Sequence, residues 1–338
     1  MKKRNWKRII INTIISLIIP VGMFLIFAVL SRGRTATVKM FVTTFRQSII
    51  PIIICWGLML NMSVGMMNFS AGAMMLCAGI LGGNLAQMTG TGIPGVLVFC
   101  LLVTLVEGAI TGFLYNKMRV PCMVLTIGMM MIWESFPKLI FSSGVNLPSS
   151  MTLLARSPYC FILLGVMFVV FHMLYNKTAF GHNLRAIGNN QAIANSVGLD
   201  SDKIKFASFV FGAIFLGIAA TLYVSERGEL RNVQFMASMT IMMDGFMGMF
   251  LALFLSKYCN MSVAVIIGSF SMKMLSNGFV AIGLSARTRD IMQGLLLLVL
   301  LTISANAGVF ERIKTNKAFA KSANDEYRKI RQTGKSIQ

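Results

Sequence analysis

At 338 residues the chain is long enough for two soluble domains, but 56% of it is hydrophobic and only 12% charged, against about a quarter charged in a soluble domain. Such a chain cannot cover itself with water-binding side chains. The 31 Lys and Arg against 11 Asp and Glu give a formal charge of +20, yet they gather at the ends and in short gaps between apolar runs; with no basic face, this argues for a membrane protein and against a nucleic-acid partner.

In chain order, Lys2, Lys3, Arg4, Lys7 and Arg8 form a basic cytoplasmic amino terminus (residues 1–8) ahead of an apolar run, Ile9 to Leu30. That run is too long for a secretion-signal core and has no small-residue cleavage site, so it reads as an uncleaved span. A bilayer core needs about 20 apolar residues per helix. The expected spans are Ile9 to Leu30, Ser48 to Val64, Ser70 to Thr89, Ile93 to Tyr115, Pro121 to Phe141, Pro158 to Tyr175, Ile204 to Val224, Met236 to Ser256, Ser262 to Val280 and Ile291 to Ala307. The expectation is therefore an all-α, polytopic transmembrane bundle of about ten spans, a permease domain over residues 9–307 with a basic tail over 308–338. With the amino terminus inside, both termini are cytoplasmic and Lys and Arg favour the inner side by about two to one.

Six cysteines, Cys55, Cys77, Cys100, Cys122, Cys160 and Cys259, fall in or beside apolar segments with no paired spacing and no nearby histidine, so they read as packing residues, with neither a disulfide frame nor a metal site. The 28 Met have no relay spacing and fill uneven gaps.

One inner loop is long, residues 176–205. Within it Asn189 or Asn190 caps a short helix from Gln191 to Val197, Gly198 supplies the left-handed residue that ends it, Leu199 folds back, and Asp200 caps the next span. Ala192 and Ala194 look like its buried pair. A plain linker has no use for two caps.

The run Gly181, Arg185, Ala186, Gly188, Asn190, Ala192, Gly198, Leu199 resembles the cytoplasmic coupling segment of permease subunits in the ribose/monosaccharide family of ABC importers. Three further stretches fit in order. GMMNFSAG (65–72) is similar to that family's G-G-x-D-L-S-x-G, KMRVPCMVLTIG (117–128) to its K-x-R-V/I-x-x-F-I-x-T-L-G, and LSNGFVAIGLSARTRDIMQG (275–294) to its L-x-N-G-L ending. The departures are Asn68 where the family has Asp, Glu134 where it has a cation or small residue, and Phe250 to Ser262 where it has a Gly-rich loop. These mark a divergent member, expected to pair with a more typical paralogue in a heterodimer rather than with itself.

The resemblance implies a multi-pass permease of the bacterial cytoplasmic (inner) membrane, set in membrane lipid. It implies a separate ABC ATPase subunit that docks the coupling helix, an extracytoplasmic solute-binding protein, and a small polar cargo, a monosaccharide above all. ATP and Mg would sit on the partner, with no cofactor on this chain. No G-x-x-x-x-G-K-[ST], H-E-x-x-H or G-x-S-x-G occurs, so the chain reads as non-catalytic. The competing class is a stand-alone secondary transporter or channel, for which Glu107 with Asp244 is the one candidate carboxylate pair.

Ionisable groups inside spans are expensive and functional by default. Glu134 and Lys138, four apart, read as a local ion pair; Asp244 and Lys273 read as neutralising each other between helices. Glu107 stands between interhelical hydrogen bonding and lining the pathway. Asn61, Asn68 and Ser70 flank a break between the second and third spans and cap a helix or meet a polar ligand. Together with Asn277 these make the pathway candidates. Trp56 and Trp133 read as core or lipid contacts before sugar platforms.

Overall fold

The computed structural model describes residues 20–30, 37–285 and scattered positions between 288 and 302. The expected amino-terminal segment, most of the tenth span and the basic tail lie outside the described residues. Eleven helices account for nearly all of the rest: α1 (Pro20–Leu30), α2 (Val38–Met62), α3 (Ala71–Met88), α4 (Gly92–Met118), α5 (Cys122–Ile140), α6 (Tyr159–Lys177), α7 (Ala179–Asn189), α8 (Gln191–Ser196), α9 (Ser201–Arg227), α10 (Met239–Leu255) and α11 (Met261–Ala281). Seven of them, α2 to α6 with α9 and α11, are long and apolar enough to cross a membrane, while α1 and α10 are apolar but shorter. The expected second to ninth spans each have their helix. α2 starts ten residues earlier than expected, because Val38 to Gln47 continues the same helix despite Lys39 and Arg46.

The core is built on α2, α3 and α9. Every residue of α2 from Ser48 to Asn61 is buried, which is the pattern of a helix apolar on all sides rather than along one stripe. α9 lies against α4, α2 and α3. The close α4–α9 contact depends on Gly108 and Gly112, one turn apart: a Cβ on Gly108 would come within 2.6 Å of the Ala213 methyl, and one on Gly112 within 3.1 Å of Phe209. Small residues at this spacing let helix backbones approach where no hydrophobic effect drives them together. α10 and α11 pack on each other and on α2, forming the opposite flank.

The bundle has two differently finished ends. At one, α7 and α8 cover the ends of α2 and α6 and the start of α9. At the other, a two-stranded antiparallel ladder joins β1 (Val145–Asn146) to β2 (Glu229–Leu230), pairing Val145 with Leu230 and Asn146 with Glu229. Asn84 Nδ2 donates to the Gly144 carbonyl at 3.0 Å and Gln87 Nε2 to that of Asn146 at 2.7 Å, tying α3 to this ladder.

Candidate functional site

α7 was not expected; only the helix after it was. Its signal is strong in retrospect. The Thr178 hydroxyl accepts from the Gly181 amide at 3.2 Å as an N-cap, and Gly181, Leu184 and Ile187, spaced by three, form the buried face. Gly181 has no room for a Cβ, which would meet the Tyr175 carbonyl oxygen, and a Cβ on Gly188 would meet that of Ser63 at the end of α2. Thus both glycines are contact points at which α7 is seated on α6 and α2. Arg185 closes the unit: its Nε donates to the Gly181 carbonyl at 3.2 Å and its guanidinium lies 5.1 Å from the centre of the Tyr175 ring. The Ser63 hydroxyl donates to the Tyr175 hydroxyl oxygen at 3.3 Å.

α8 follows with no slack. Asn190 Oδ1 accepts from the Ile193 amide at 3.1 Å, Gly198 takes φ +87°, and the Gly198 and Leu199 amides return to the Asn195 and Ala194 carbonyls at 3.0 and 3.1 Å. This is a Schellman ending. Asp200 then accepts from the Asp202 and Lys203 amides at 3.2 and 3.1 Å and caps α9, as expected. The Ser201 hydroxyl donates to Asn195 Oδ1, and Lys205 Nζ to Gln191 Oε1 at 3.1 Å, joining α8 to α9. Of the supposed buried alanine pair only Ala194 is buried; Ala192 is exposed, because two positions apart on a helix face different ways. The sequence reading also missed Ile193 and Val197, 63% and 73% exposed on one face of α8. The signal present was a single apolar pair at i, i+4, beside Ala194 and running from α8 to its C-cap. All eight residues singled out here, Gly181 to Leu199, therefore belong to one locked unit with an uncovered apolar edge.

The pathway candidates do not converge on one cavity. Asn61 is buried between α2 and α9, its Oδ1 accepting from the Ser208 hydroxyl at 3.0 Å. Asn68 and Ser70 are buried in the break between α2 and α3, where Asn68 Oδ1 accepts from both the amide (3.1 Å) and the hydroxyl (2.7 Å) of Ser70. Ser70 is thus the N-cap residue of α3, held by Asn68, and neither side chain accepts from an amide of the helix's first turn. The Thr126 and Cys122 side chains of α5 both donate to the Met67 carbonyl at 3.3 Å, satisfying the unwound backbone. Glu107 is 2% exposed on α4; among the described residues its carboxyl oxygens have no nitrogen or oxygen donor, and the neighbouring polar group is the Cys77 thiol of α3. Asn277 of α11 donates to Thr44 Oγ1 at 3.0 Å and Gln47 Oε1 at 2.8 Å on α2.

Two expectations about charge resolve oppositely. Asp244 and Lys273 do pair, Nζ to Oδ2 at 3.2 Å between α10 and α11. Glu134 does not pair with Lys138. Its two oxygens accept from the Met236 and Ser238 amides at 2.9 and 2.8 Å, 102 and 104 residues away. Phe235 and Met236 take left-handed φ of 59° and 62°, a turn that points the Met236 and Ser238 N–H groups at one carboxylate, and α10 starts at Met239 rather than Met236. Gly72, in the first turn of α3, leaves room for the Ser238 carbonyl, so the start of α3 and the start of α10 meet inside the bundle. Ser238 Oγ and Trp133 Nε1 are buried there without partners among the described residues. Trp56 is wholly buried and stacks on Phe171 as a core residue.

Residues 40–301 match the family described as branched-chain amino acid transport system, permease component. The chain belongs to this family. Curated relatives of this permease include the autoinducer 2 import system permease protein LsrC of Photorhabdus luminescens, 25% identical over 288 residues covering 81% of this chain and 84% of the relative. The protein of that name from Yersinia pestis (strain Pestoides F) is 24% identical over 291 residues, 82% and 80% of the two chains. No solved structure gives a significant match. The permease is thus a divergent multi-pass membrane protein whose relatives are transport subunits.

Proposed function

We propose that this permease is the membrane-spanning subunit of an ATP-driven importer and carries a small, uncharged, polyhydroxylated solute of the monosaccharide class across the bacterial inner membrane. Its partners are an ABC ATPase on the cytoplasmic side, holding ATP and Mg, a solute-binding protein on the other, and a second permease, preferably a paralogue. The observation that carries this reading is the α7–α8 unit. It is seated on α2 and α6 through Gly188 and Gly181, yet it presents Ile193 and Val197 to the outside. Apolar side chains on a rigid polar-side element are the mark of a docking surface. ATP binding to the partner shifts the permease only through contacts that differ between its states, and a unit locked to three spans passes such a difference into the bundle. The relatives named for autoinducer 2 import support a small polar cargo.

The stand-alone transporter reading loses its candidate pair. Asp244 is engaged by Lys273 on the α10–α11 flank, whereas Glu107 lies on α4, which packs on α3 and α9. The test is uptake in vesicles carrying the chain together with its ATPase and binding protein. Replacing Ile193 and Val197 by Asp should abolish nucleotide-dependent uptake and ATPase co-purification while insertion is unchanged. Uptake that persists in that variant, or without any ATPase, refutes the reading.

A further inference from the structure

Three ion pairs occur among the described residues. Two, Asp200 with Lys203 and Glu229 with Arg231, lie beside helix ends, with side chains 49 to 85% exposed. The third, Asp244 with Lys273, is inside the spans. Lys273 is the thirteenth of the 21 residues of α11, so at 1.5 Å per residue about 18 Å of helix precede it and about 12 Å follow it. The two side chains are nevertheless 24% (Lys273) and 44% (Asp244) exposed. A charge at that depth facing hydrocarbon is expensive, and ionisable groups in spans face protein or a water-filled cavity. One contact at 3.2 Å uses one ammonium hydrogen and Oδ2. Oδ1 and the remaining ammonium hydrogens have no partner among the described residues.

The surroundings extend this polarity. Thr240, one turn before Asp244 on the same face of α10, is exposed. Asn277, one turn after Lys273 on α11, is polar and fixed by Thr44 and Gln47. One turn from the pair the two helices close on each other, Gly248 against Ser269, and Gly245 meets Ile54 and Leu58 of α2. Among the described residues the pair and Thr240 therefore remain partly uncovered where α10 and α11 are otherwise packed.

We propose that Asp244 and Lys273 line the aqueous solute pathway and form a subsite for neighbouring hydroxyls of an uncharged polyol. One hydroxyl donates to the free carboxylate oxygen, and the next accepts from the ammonium group, leaving the ion pair intact. This rests on the permease reading and adds its substrate-contacting residues. A zwitterionic amino acid would instead have to split the pair.

The test uses the full chain with its ATPase and binding protein in membrane vesicles. An Asp244→Cys, Lys273→Met double variant leaves no unpaired charge and is compared with the parent chain bearing only its native cysteines. A membrane-impermeant methanethiosulfonate should label the variant several-fold faster than the parent; in Thr240→Cys, which keeps the ion pair, a mixture of pentoses and hexoses should slow labelling while leucine does not. Labelling by a lipid-soluble maleimide alone, or by neither reagent, overturns the pathway assignment. Protection by leucine alone overturns the polyol subsite. Failure here with uptake still abolished by the Ile193 and Val197 changes removes this inference and leaves the permease reading; uptake independent of the ATPase removes the permease reading itself. Should the double variant fail to insert, Thr240→Cys, which touches no charge, gives the same comparison.

Discussion

The two ends of the bundle are held by different kinds of bond. Around α7 and α8 most polar contacts are short in sequence: Thr178 to Gly181, Asn190 to Ile193, Asp200 to Lys203. At the ladder end and the start of α10 they are long: Glu134 to Ser238, Asn84 to Gly144, Asn232 Nδ2 to the Phe141 carbonyl at 2.8 Å. The short-range end builds a self-contained rigid piece and leaves an apolar edge uncovered. The long-range end spends its polar groups on itself. A piece that must be moved by a partner is best built locally and seated at few points, whereas a seal between distant segments requires cross-links.

The comparison is broken most directly at Glu134. Substituting Ala leaves the Met236 and Ser238 amides without their acceptor in a buried site; a hydrogen bond to a charged group contributes about 1.5–3 kcal/mol, so the loss should be about 3 kcal/mol or more. The expected outcome is a clearly lowered midpoint of thermal unfolding for the detergent-solubilised chain. An unchanged midpoint would show that α10 starts where it does without this carboxyl group.

Gly188→Leu attacks the other end. The added side chain collides with the Ser63 carbonyl, and because that oxygen is backbone, α7 must move instead. If α7 transmits the motion as proposed, nucleotide-dependent uptake should fall several-fold or more, while the unfolding midpoint moves less than for the Glu134 change. The reverse order of effects would mean that α7 holds the fold together rather than transmitting motion.

This contrast also explains what could be read from sequence. The caps at Asn190 and Asp200 and the left-handed Gly198 are written within a few residues, so the helix they bound was legible. The helical runs were legible for the same reason, as each is a continuous apolar stretch. Glu134 was not: its nearest charged neighbour in sequence is Lys138, and nothing local indicates an amide pair about a hundred residues on. The pairing of Asp244 with Lys273 could be proposed because opposite charges are rare inside spans, but their exposure depends on which face α2 covers. Ile193 and Val197 were not legible because a helix of six residues is too short for one apolar pair to show a period.

A smaller effect is expected at Asn190. Ala there removes the side-chain acceptor for the Ile193 amide and should destabilise α8 by about 1 kcal/mol, read as faster amide exchange over residues 191 to 196 with global stability unchanged. Spread of the faster exchange into α9 would show that the α7–α8 end is one cooperative piece with the span it abuts, which the bonds from Ser201 and Lys205 back to Asn195 and Gln191 favour.

The smallest effect is electrostatic and lies at the same junction. The amides of Lys203 and Asp202 and the Lys203 ammonium, 3.1 Å away, hold the Asp200 carboxyl below its ordinary value of 3.8, with the Lys203 amide the largest contributor. A depressed value means the cap stabilises the folded state only while ionised. Its contribution is complete above the unfolded value of about 3.9 and fades as pH falls through the lower folded value. Protection of the Asp202 and Lys203 amides, corrected for intrinsic exchange, should therefore decline only on acidification below the ordinary carboxylate range, and Asp200→Asn, which keeps an acceptor without a titrating group, should flatten that decline. A decline that begins well above that range in the parent chain would place the titrating group elsewhere and leave the start of α9 capped by geometry alone.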